Sequence, residues 1–312
     1  MAVYTKLTTE HKESIKKLYN LDKNTDFVEI SEGILNTNYL VKEKNKKHVF
    51  RILEGDRDIH EELKELELLS FLNENDISCP QATVNNLGKN HMFVQEKMGC
   101  LFNFIPGEKV INIDCDVLKK IGSTLGRLHN LSKERTIKRT RKIDLDFFHE
   151  KLLKVDLKDI LKEDHDLIME RYKEVKKVDF SDLPRGIVHN DIFPDNVFMG
   201  DKLSLIDFND CVKGPLVIDL AIVINFWIKI KEFSRDKEDR LIKTFLDSYE
   251  KERKLLPEEK KMLKKMVLKM ALTFIFLRIN KFYIEDNRGT NMEIKSYKDL
   301  MVLLKEETNE IY

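Results

Sequence analysis

One stretch limits the possible folds of this chain more than any other. It runs His189-Asn190-Asp191-Ile192-Phe193-Pro194-Asp195-Asn196, then through two short apolar runs to Leu205-Ile206-Asp207-Phe208. The runs, Val197-Phe198-Met199 and Leu203-Ser204-Leu205-Ile206, meet at Gly200-Asp201. Glycine at the first central position suits a two-residue type II′ turn, so the segment predicts a β-hairpin. In that register Asn196 faces Leu205, and Asp207 is its diagonal neighbour at roughly 7–8 Å. Asp and Asn at strand ends are ordinarily turn residues, but here spacing, turn and flanks agree. The H-x-D-x-x-x-x-N spacing supplies a carboxylate, Asp191, that can orient a hydroxyl and accept its proton. It also supplies an amide oxygen, Asn196, for a metal, and Asp207 adds a second metal ligand. These are the groups that metal-dependent phosphoryl transfer requires.

Length and charge narrow the setting. A chain of 312 residues can bury a large core and commonly divides in two. Lys+Arg and Asp+Glu balance at 55 each, so no global field favours nucleic acid or an anionic membrane. Cys79, Cys100, Cys115 and Cys211 form no C-x-x-C pair and no metal-ligand spacing, which fits reduced, mostly buried thiols of a cytoplasmic protein. The first residues carry no signal-peptide core. The longest apolar run, Leu216 to Ile230, is interrupted by Asp219 and Asn225, so no membrane span is expected.

The first third reads as mixed. Strands are expected at Val28–Ile30, Asn38–Val41 and His48–Leu53, with a charged turn over Lys42–Lys47. Ile59, Leu63, Leu66, Leu69 and Leu72 then recur on one helical face, and further strands follow at Met92–Gln95 and Gly99–Phe102. After Phe104-Ile105-Pro106-Gly107 the pattern turns helical: Cys115–Leu131, Phe147–Leu161, Leu167–Val178, Leu216–Lys231, Glu238–Lys254 and Pro257–Tyr283, with the hairpin as the one strand-like interruption. The boundary falls near Asn103–Gly107, giving units 1–103 and 104–312. The basic cluster Lys133–Lys142 reads as a solvated loop without interleaved aromatics.

Other residues are candidates for nucleotide contact. Gly33, Asn36, Thr37 and Asn38 lie in Glu32–Asn38, a polar segment between strands that can offer N–H groups and hydroxyls to phosphates. No G-x-x-x-x-G-K-[ST] exists, which excludes a P-loop site as far as the motif can. Arg51 is the one cation inside its strand, the position from which a kinase basic residue holds phosphates, oriented by a glutamate of the next helix. Glu65 is expected in that role, with Glu62 as the alternative. Asp219, ahead of Leu220-Ala221-Ile222-Val223, is either an N-cap or a cap that also braces the hairpin's loop. His189 is expected to anchor that loop rather than carry protons.

At this point the residues match a family. Leu183–Phe198, Leu205-Ile206-Asp207-Phe208, Asp219-Leu220-Ala221-Ile222, Asn225, Trp227, Glu32-Gly33, Asn36–Leu40 and Cys79-Pro80 closely resemble bacterial homoserine kinases of the aminoglycoside-phosphotransferase/choline-kinase-like superfamily. The resemblance implies an α+β, two-lobed protein-kinase-like fold: a small antiparallel-sheet N-lobe with one main helix that binds nucleotide, and a larger, mostly helical C-lobe for catalysis and acceptor. It implies ATP with Mg²⁺, and transfer of the γ-phosphate to the side-chain hydroxyl of L-homoserine in threonine biosynthesis. By position Asp191 becomes the catalytic aspartate, Asn196 and Asp207 the metal ligands, and Asn103–Ile105 the adenine-contacting hinge. Arg278 falls where the family has an arginine on the acceptor side, and a guanidinium suits an amino acid carboxylate; a structural pair with a carboxylate such as Glu285 is the alternative. The chain departs from the family at Asn190, Phe226, Thr273, Asn280 and Lys281. A kinase of the same fold for choline, ethanolamine or an aminoglycoside is therefore the rival reading. A non-catalytic nucleotide-binding regulator is a second rival, opposed by the complete Asp191, Asn196 and Asp207 set.

Overall fold

The computed structural model describes residues 4–31, 36–55, 58–139, 143–284 and 296–305. Contacts divide the chain into two compact units. The first takes the described residues within Met1–Gly107 together with Ser204–Ile206; the second takes those from Glu108 to Leu203 and from Asp207 onward.

The first unit holds strands β1 (Asp26–Ile30), β2 (Asn36–Lys42), β3 (Lys47–Leu53), β4 (Met92–Val94) and β5 (Lys97–Asn103), and helices α1 (Thr9–Leu18) and α2 (Ile59–Glu74). The sheet is antiparallel throughout, in the order β1-β2-β3-β5-β4. The Lys42–Lys47 turn closes on a Glu43 N–H to Lys46 carbonyl bond of 2.9 Å. Alternation then sorts the side chains. Tyr39, Val41, Phe50 and Ile52 share one face and form a core with Ile15 of α1. Arg51, between Asn38 and Cys100 in register, points to the opposite face. Helix α1 had no counterpart in the sequence reading: Thr8 caps it, but Ile15 and Leu18 are the only aliphatic residues in its ten, too few to show a period.

The second unit holds β6 (Glu108–Lys109), β7 (Arg185–Val188), β8 (Val197–Met199), β9 (Leu203–Leu205, whose last residues count with the first unit) and β10 (Val212–Pro215). Its helices are α3 (Cys115–Ser132), α4 (Leu145–Leu152), α5 (Leu157–Leu161), α6 (His165–Lys176), α7 (Val217–Val223), α8 (Arg235–Glu252), α9 (Pro257–Tyr283) and α10 (Val302–Lys305). Several expectations change here. The helix expected over Phe147–Leu161 is two, because Asp156 accepts from the N–H groups of Lys158 and Asp159 and starts a new one. The helix expected over Leu216–Lys231 becomes a π turn at Ile224–Ile228 and a 3₁₀ turn at Lys229–Lys231. Nor is the hairpin the single strand-like interruption: β7 pairs with β10, and β6 with β8. These ladders are two to four residues long, too short for alternation to register.

Helices α3 and α8 come unusually close. A Cβ built on Gly122 would lie 2.4 Å from the carbonyl oxygen of Phe245, and one on Gly126 would lie 2.8 Å from that of Tyr249. Two glycines four residues apart clear a lane on α3 into which the α8 backbone settles. Across it, Ser123 Oγ donates to Glu252 at 2.8 Å, and His129 Nδ1 meets Tyr249 Oη at 2.8 Å. We expect Gly122→Ala to destabilise the protein by about 1–3 kcal/mol, the usual cost of overpacking, read as a lower urea midpoint with unchanged slope. An unshifted midpoint would mean that the two helices separate freely.

Candidate active site

The loop from His189 to Asn196 leaves β7 and enters β8 through a 3₁₀ turn, Pro194–Asn196. Two side chains from helices or turns hold it, and a third backs one of them. Asp219 lies in the first turn of α7 and is fully buried, but it does not cap that helix. Its Oδ2 accepts from His189 N and its Oδ1 from Asn190 N, both at 2.8 Å. His129 Nε2 meets the same Oδ2 at 3.0 Å. Trp227, inside the π turn, donates Nε1–H to the Ile192 carbonyl at 2.8 Å. His189 Nδ1 accepts from Asp191 N at 3.3 Å, which requires that nitrogen to be unprotonated, while its ring packs on Phe208 with centroids 4.5 Å apart. His129 and the bracing by Trp227 were missed in the sequence, where neither shows a partner.

Asn190 takes φ 64°, in the left-handed region, which asparagine tolerates better than most residues. The departure from a small residue at this position is thus conformationally consistent. Asn196 Nδ2 donates to the Asp191 carbonyl and to Asp191 Oδ2, both at 2.8 Å. The amide nitrogen is thereby turned onto the aspartate, which leaves Oδ1 as the group for a cation. Asp207 follows β9 and also sits in the left-handed region, at φ 64° and ψ 66°, with its Oδ1 bonded by Asn209 Nδ2. A non-glycine residue held there stores strain, as functional positions often do.

The expected type II′ turn is absent: Gly200 is not among the positive-φ glycines of the described residues, and its N–H donates to Lys202 O at 3.2 Å. The connection therefore takes three residues. Asn196 still immediately precedes β8 and Asp207 follows β9, so the hairpin carries both at its same end. Their donors are all oxygens, which fits a hard divalent cation completed by phosphate oxygens. Among the described residues no cluster of three or more His, Cys, Asp or Glu forms a separate metal site.

Arg139 corrects the reading of the basic cluster as solvated. Its Nε donates to Cys211 O and its Nη2 to Phe208 O, both at 3.0 Å, bracing the turn after Asp207. Arg141 and Lys142 lie outside the described residues. On α9, Arg278 Nη1 donates to Ser296 O at 2.7 Å and lies 3.7 Å from Asp299. Desolvation holds its pKa below the usual value, with Asp299 opposing. Glu285 lies outside the described residues. One turn before Arg278, Phe274 packs against Phe193 and Phe226, all three ring pairs edge-on with centroids 4.6–5.0 Å apart.

In the first unit, Arg51 Nη1 lies 4.0 Å from Glu65 Oε1, and its guanidinium lies over Phe102 at 5.2 Å. Glu62 lines the same small pocket. Asn36, Thr37 and Asn38 belong to β2 rather than to a loop, because each pairs with β3. The Thr37 hydroxyl accepts from Tyr4 N (2.9 Å) and Thr5 N (3.1 Å) and donates to Glu54 (2.6 Å). That fills its capacity and leaves nothing for a phosphate. Asn36 Oδ1 accepts from Glu54 N at 3.4 Å, and Asn38 Nδ2 donates to Asn36 O at 3.4 Å. Asn103 Oδ1 accepts from Gln81 N at 2.6 Å, and Ile105 lies half-buried in the segment after β5. Gly33 lies outside the described residues.

The phosphotransferase enzyme family profile matches residues 26–259. The homoserine kinase of Methylobacillus flagellatus is 29% identical over 297 residues, covering 91% of this chain and 88% of its own. Two solved structures share the fold: an amicoumacin kinase in complex with AMP-PNP, Ca²⁺ and Ami (TM-score 0.70, 16% identity, 94% of this chain and 91% of that one), and a microcompartment-associated aminopropanol kinase (TM-score 0.66, 18% identity, 95% and 94%). The chain belongs to the phosphotransferase enzyme family, with a protein-kinase-like fold. It is an ATP-dependent kinase that phosphorylates a hydroxyl group of a small molecule.

Removing the Asp219 carboxylate strands two buried backbone N–H groups and His129. We expect Asp219→Ala to cost about 3–5 kcal/mol, measured by urea unfolding, with little activity left in the folded fraction. Stability within about 1 kcal/mol of wild type would show that water replaces the carboxylate.

Proposed function

We propose that this protein is a homoserine kinase of the threonine pathway, transferring the ATP γ-phosphate to the side-chain hydroxyl of L-homoserine. The observation that carries the proposal is the Asp191–Asn196 pair, held on a loop braced at three backbone groups and joined at one hairpin end by Asp207. Similarity to the Methylobacillus flagellatus homoserine kinase along most of both chains supports the acceptor. Asp191 orients the acceptor hydroxyl and takes its proton as the oxygen attacks the γ-phosphorus; the bond to the β-phosphate oxygen breaks and ADP leaves. Asn196 keeps the Asp191 carboxylate from rotating. Asn196 Oδ1 and the Asp207 carboxylate would hold Mg²⁺, which neutralises phosphate charge when bound. Nucleotide contacts are assigned to Gly33, Asn36, Asn38, Asn103, Ile105 and Arg51, with Glu65 orienting Arg51. Thr37 contributes by supporting β2.

Arg278 is assigned to the acceptor carboxylate. Phe274, one helical turn earlier, touches Phe193, two residues beyond Asp191, so the α9 face leads from the loop to the guanidinium. Its ionic partner Asp299 is exposed and 3.7 Å away, a contact that a substrate carboxylate can displace. The same contact, with Phe226 in a position that is often acidic or small in the family, favours a second reading: an amino alcohol without a carboxylate, such as choline, ethanolamine or an aminoglycoside.

An ADP-release assay across homoserine, choline, ethanolamine and an aminoglycoside tests the assignment. Homoserine is expected to give the highest kcat/KM, and Asp191→Asn to lower turnover by about 10²–10⁴-fold while ATP still binds. Near-normal turnover of that variant would remove Asp191 from the chemistry. Arg278→Leu is expected to raise the KM for homoserine and leave that for ATP within about twofold, a loss of about 2–5 kcal/mol in kcat/KM. A lowered Tm with unchanged homoserine KM would instead make Arg278 a structural partner of Asp299.

A further inference from the structure

The buried link behind the catalytic loop does not stop at His129. Tyr249 Oη sits 2.8 Å from His129 Nδ1. Arg253 Nη1 donates to Tyr249 Oη at 3.1 Å, and both Arg253 terminal nitrogens donate to Glu259 at 3.0 Å. Glu259 Oε2 also accepts from Leu256 N at 3.0 Å. Tyr249, His129, Asp219 and Glu259 are all fully buried. The chain thus runs from the corner between α8 and α9, through the α3–α8 contact, to the backbone of His189 and Asn190.

The chemistry of the end groups fixes the direction of each bond. Arginine has no acceptor, so Tyr249 oxygen receives from Arg253 and must turn its own hydrogen elsewhere. The neighbour in line is His129 Nδ1, which must then be the unprotonated nitrogen. His129 therefore carries its hydrogen on Nε2 and gives it to Asp219, a carboxylate that can only accept. Burial pushes the Tyr249 pKa up, which keeps the phenol protonated as that donor. With Arg253 paired to Glu259, one neutral tautomer of His129 is selected, and the Asp219 oxygens are aimed at the two loop amides.

We propose that Tyr249, Arg253 and Glu259 are positioning residues for phosphoryl transfer. Through His129 and Asp219 they set the geometry of the loop that carries Asp191, although none lies on that loop. This role rests on the reading of Asp191 as the group that takes the acceptor proton. An Asp191→Asn variant that keeps its turnover would undo that reading without touching the hydrogen-bond chain.

The test uses the whole chain with Tyr249→Phe, which keeps the ring against His129 and removes the hydroxyl that donates to His129 and accepts from Arg253. Of the two bonds lost, the one to His129, about 1 kcal/mol, faces the loop and predicts an approximately five- to tenfold fall in kcat. KM for ATP and acceptor should stay within about twofold, because groups that bind substrate are untouched. Amide hydrogen exchange at His189 and Asn190 should quicken by a similar factor, while the rest of β7 stays protected. Arg253→Lys keeps a donor for Tyr249 and should retain more kcat than Arg253→Met, which supplies a second route if Tyr249→Phe folds poorly. Unchanged kcat per folded enzyme, with or without a lower Tm, would overturn the proposal, as would faster exchange spread evenly over the unit. Faster exchange at the two amides alone, with kcat intact, would also overturn it as a claim about turnover.

Discussion

The Asp219 carboxylate is the interaction on which the second unit turns. A fully buried anion is tolerable only where donors surround it. Here two loop amides and the His129 ring supply them. The same bonds draw the loop after β7 against α7, so the charge dictates where Asp191 begins. On the proposed role of Asp191, folding and activity are parts of one arrangement, because the backbone that satisfies Asp219 is the backbone that presents Asp191. Asn196 completes it by fixing the aspartate through its amide nitrogen.

That arrangement needs α3 and α8 nearly in contact, and glycine provides the room. His129 and Tyr249 meet because Gly122 and Gly126 let the α8 carbonyls approach where any side chain would collide. The lane is apolar space doing electrostatic service: without it the histidine could not reach a hydroxyl from the neighbouring helix.

Much of this was legible in the amino-acid order, and what was not has physical reasons. The five-stranded sheet and its main helix follow from alternation and from the Leu66, Leu69 and Leu72 stripe. The long helix Pro257–Tyr283 was read to its residue limits, since proline starts it and apolar residues recur throughout. Ladders such as β7–β10 were invisible because four residues cannot display a period. The π turn around Trp227 was invisible because its sequence is simply apolar and continuous with α7. In the candidate site the local spacing marks Asp191, Asn196 and Asp207, and Asp191 and Asn196 are bonded, whereas His129, Tyr249 and Arg139 act over separations of tens of residues and carry no local mark. Thr37 illustrates the opposite error: a polar residue near a glycine looked available for phosphate, yet its hydroxyl is saturated inside the fold.

Trp227 is the chain's one tryptophan, and its indole nitrogen is bonded to the carbonyl of Ile192, next to Asp191. The protein consequently carries a single indole fluorophore, which can be excited apart from its tyrosines, and the dipole of that indole is tethered to the candidate catalytic loop and shielded from water. Intrinsic emission has no background from other indoles. Its wavelength registers the polarity around the loop, so a stopped-flow record of that colour follows the loop itself as nucleotide or acceptor arrives, without any added label.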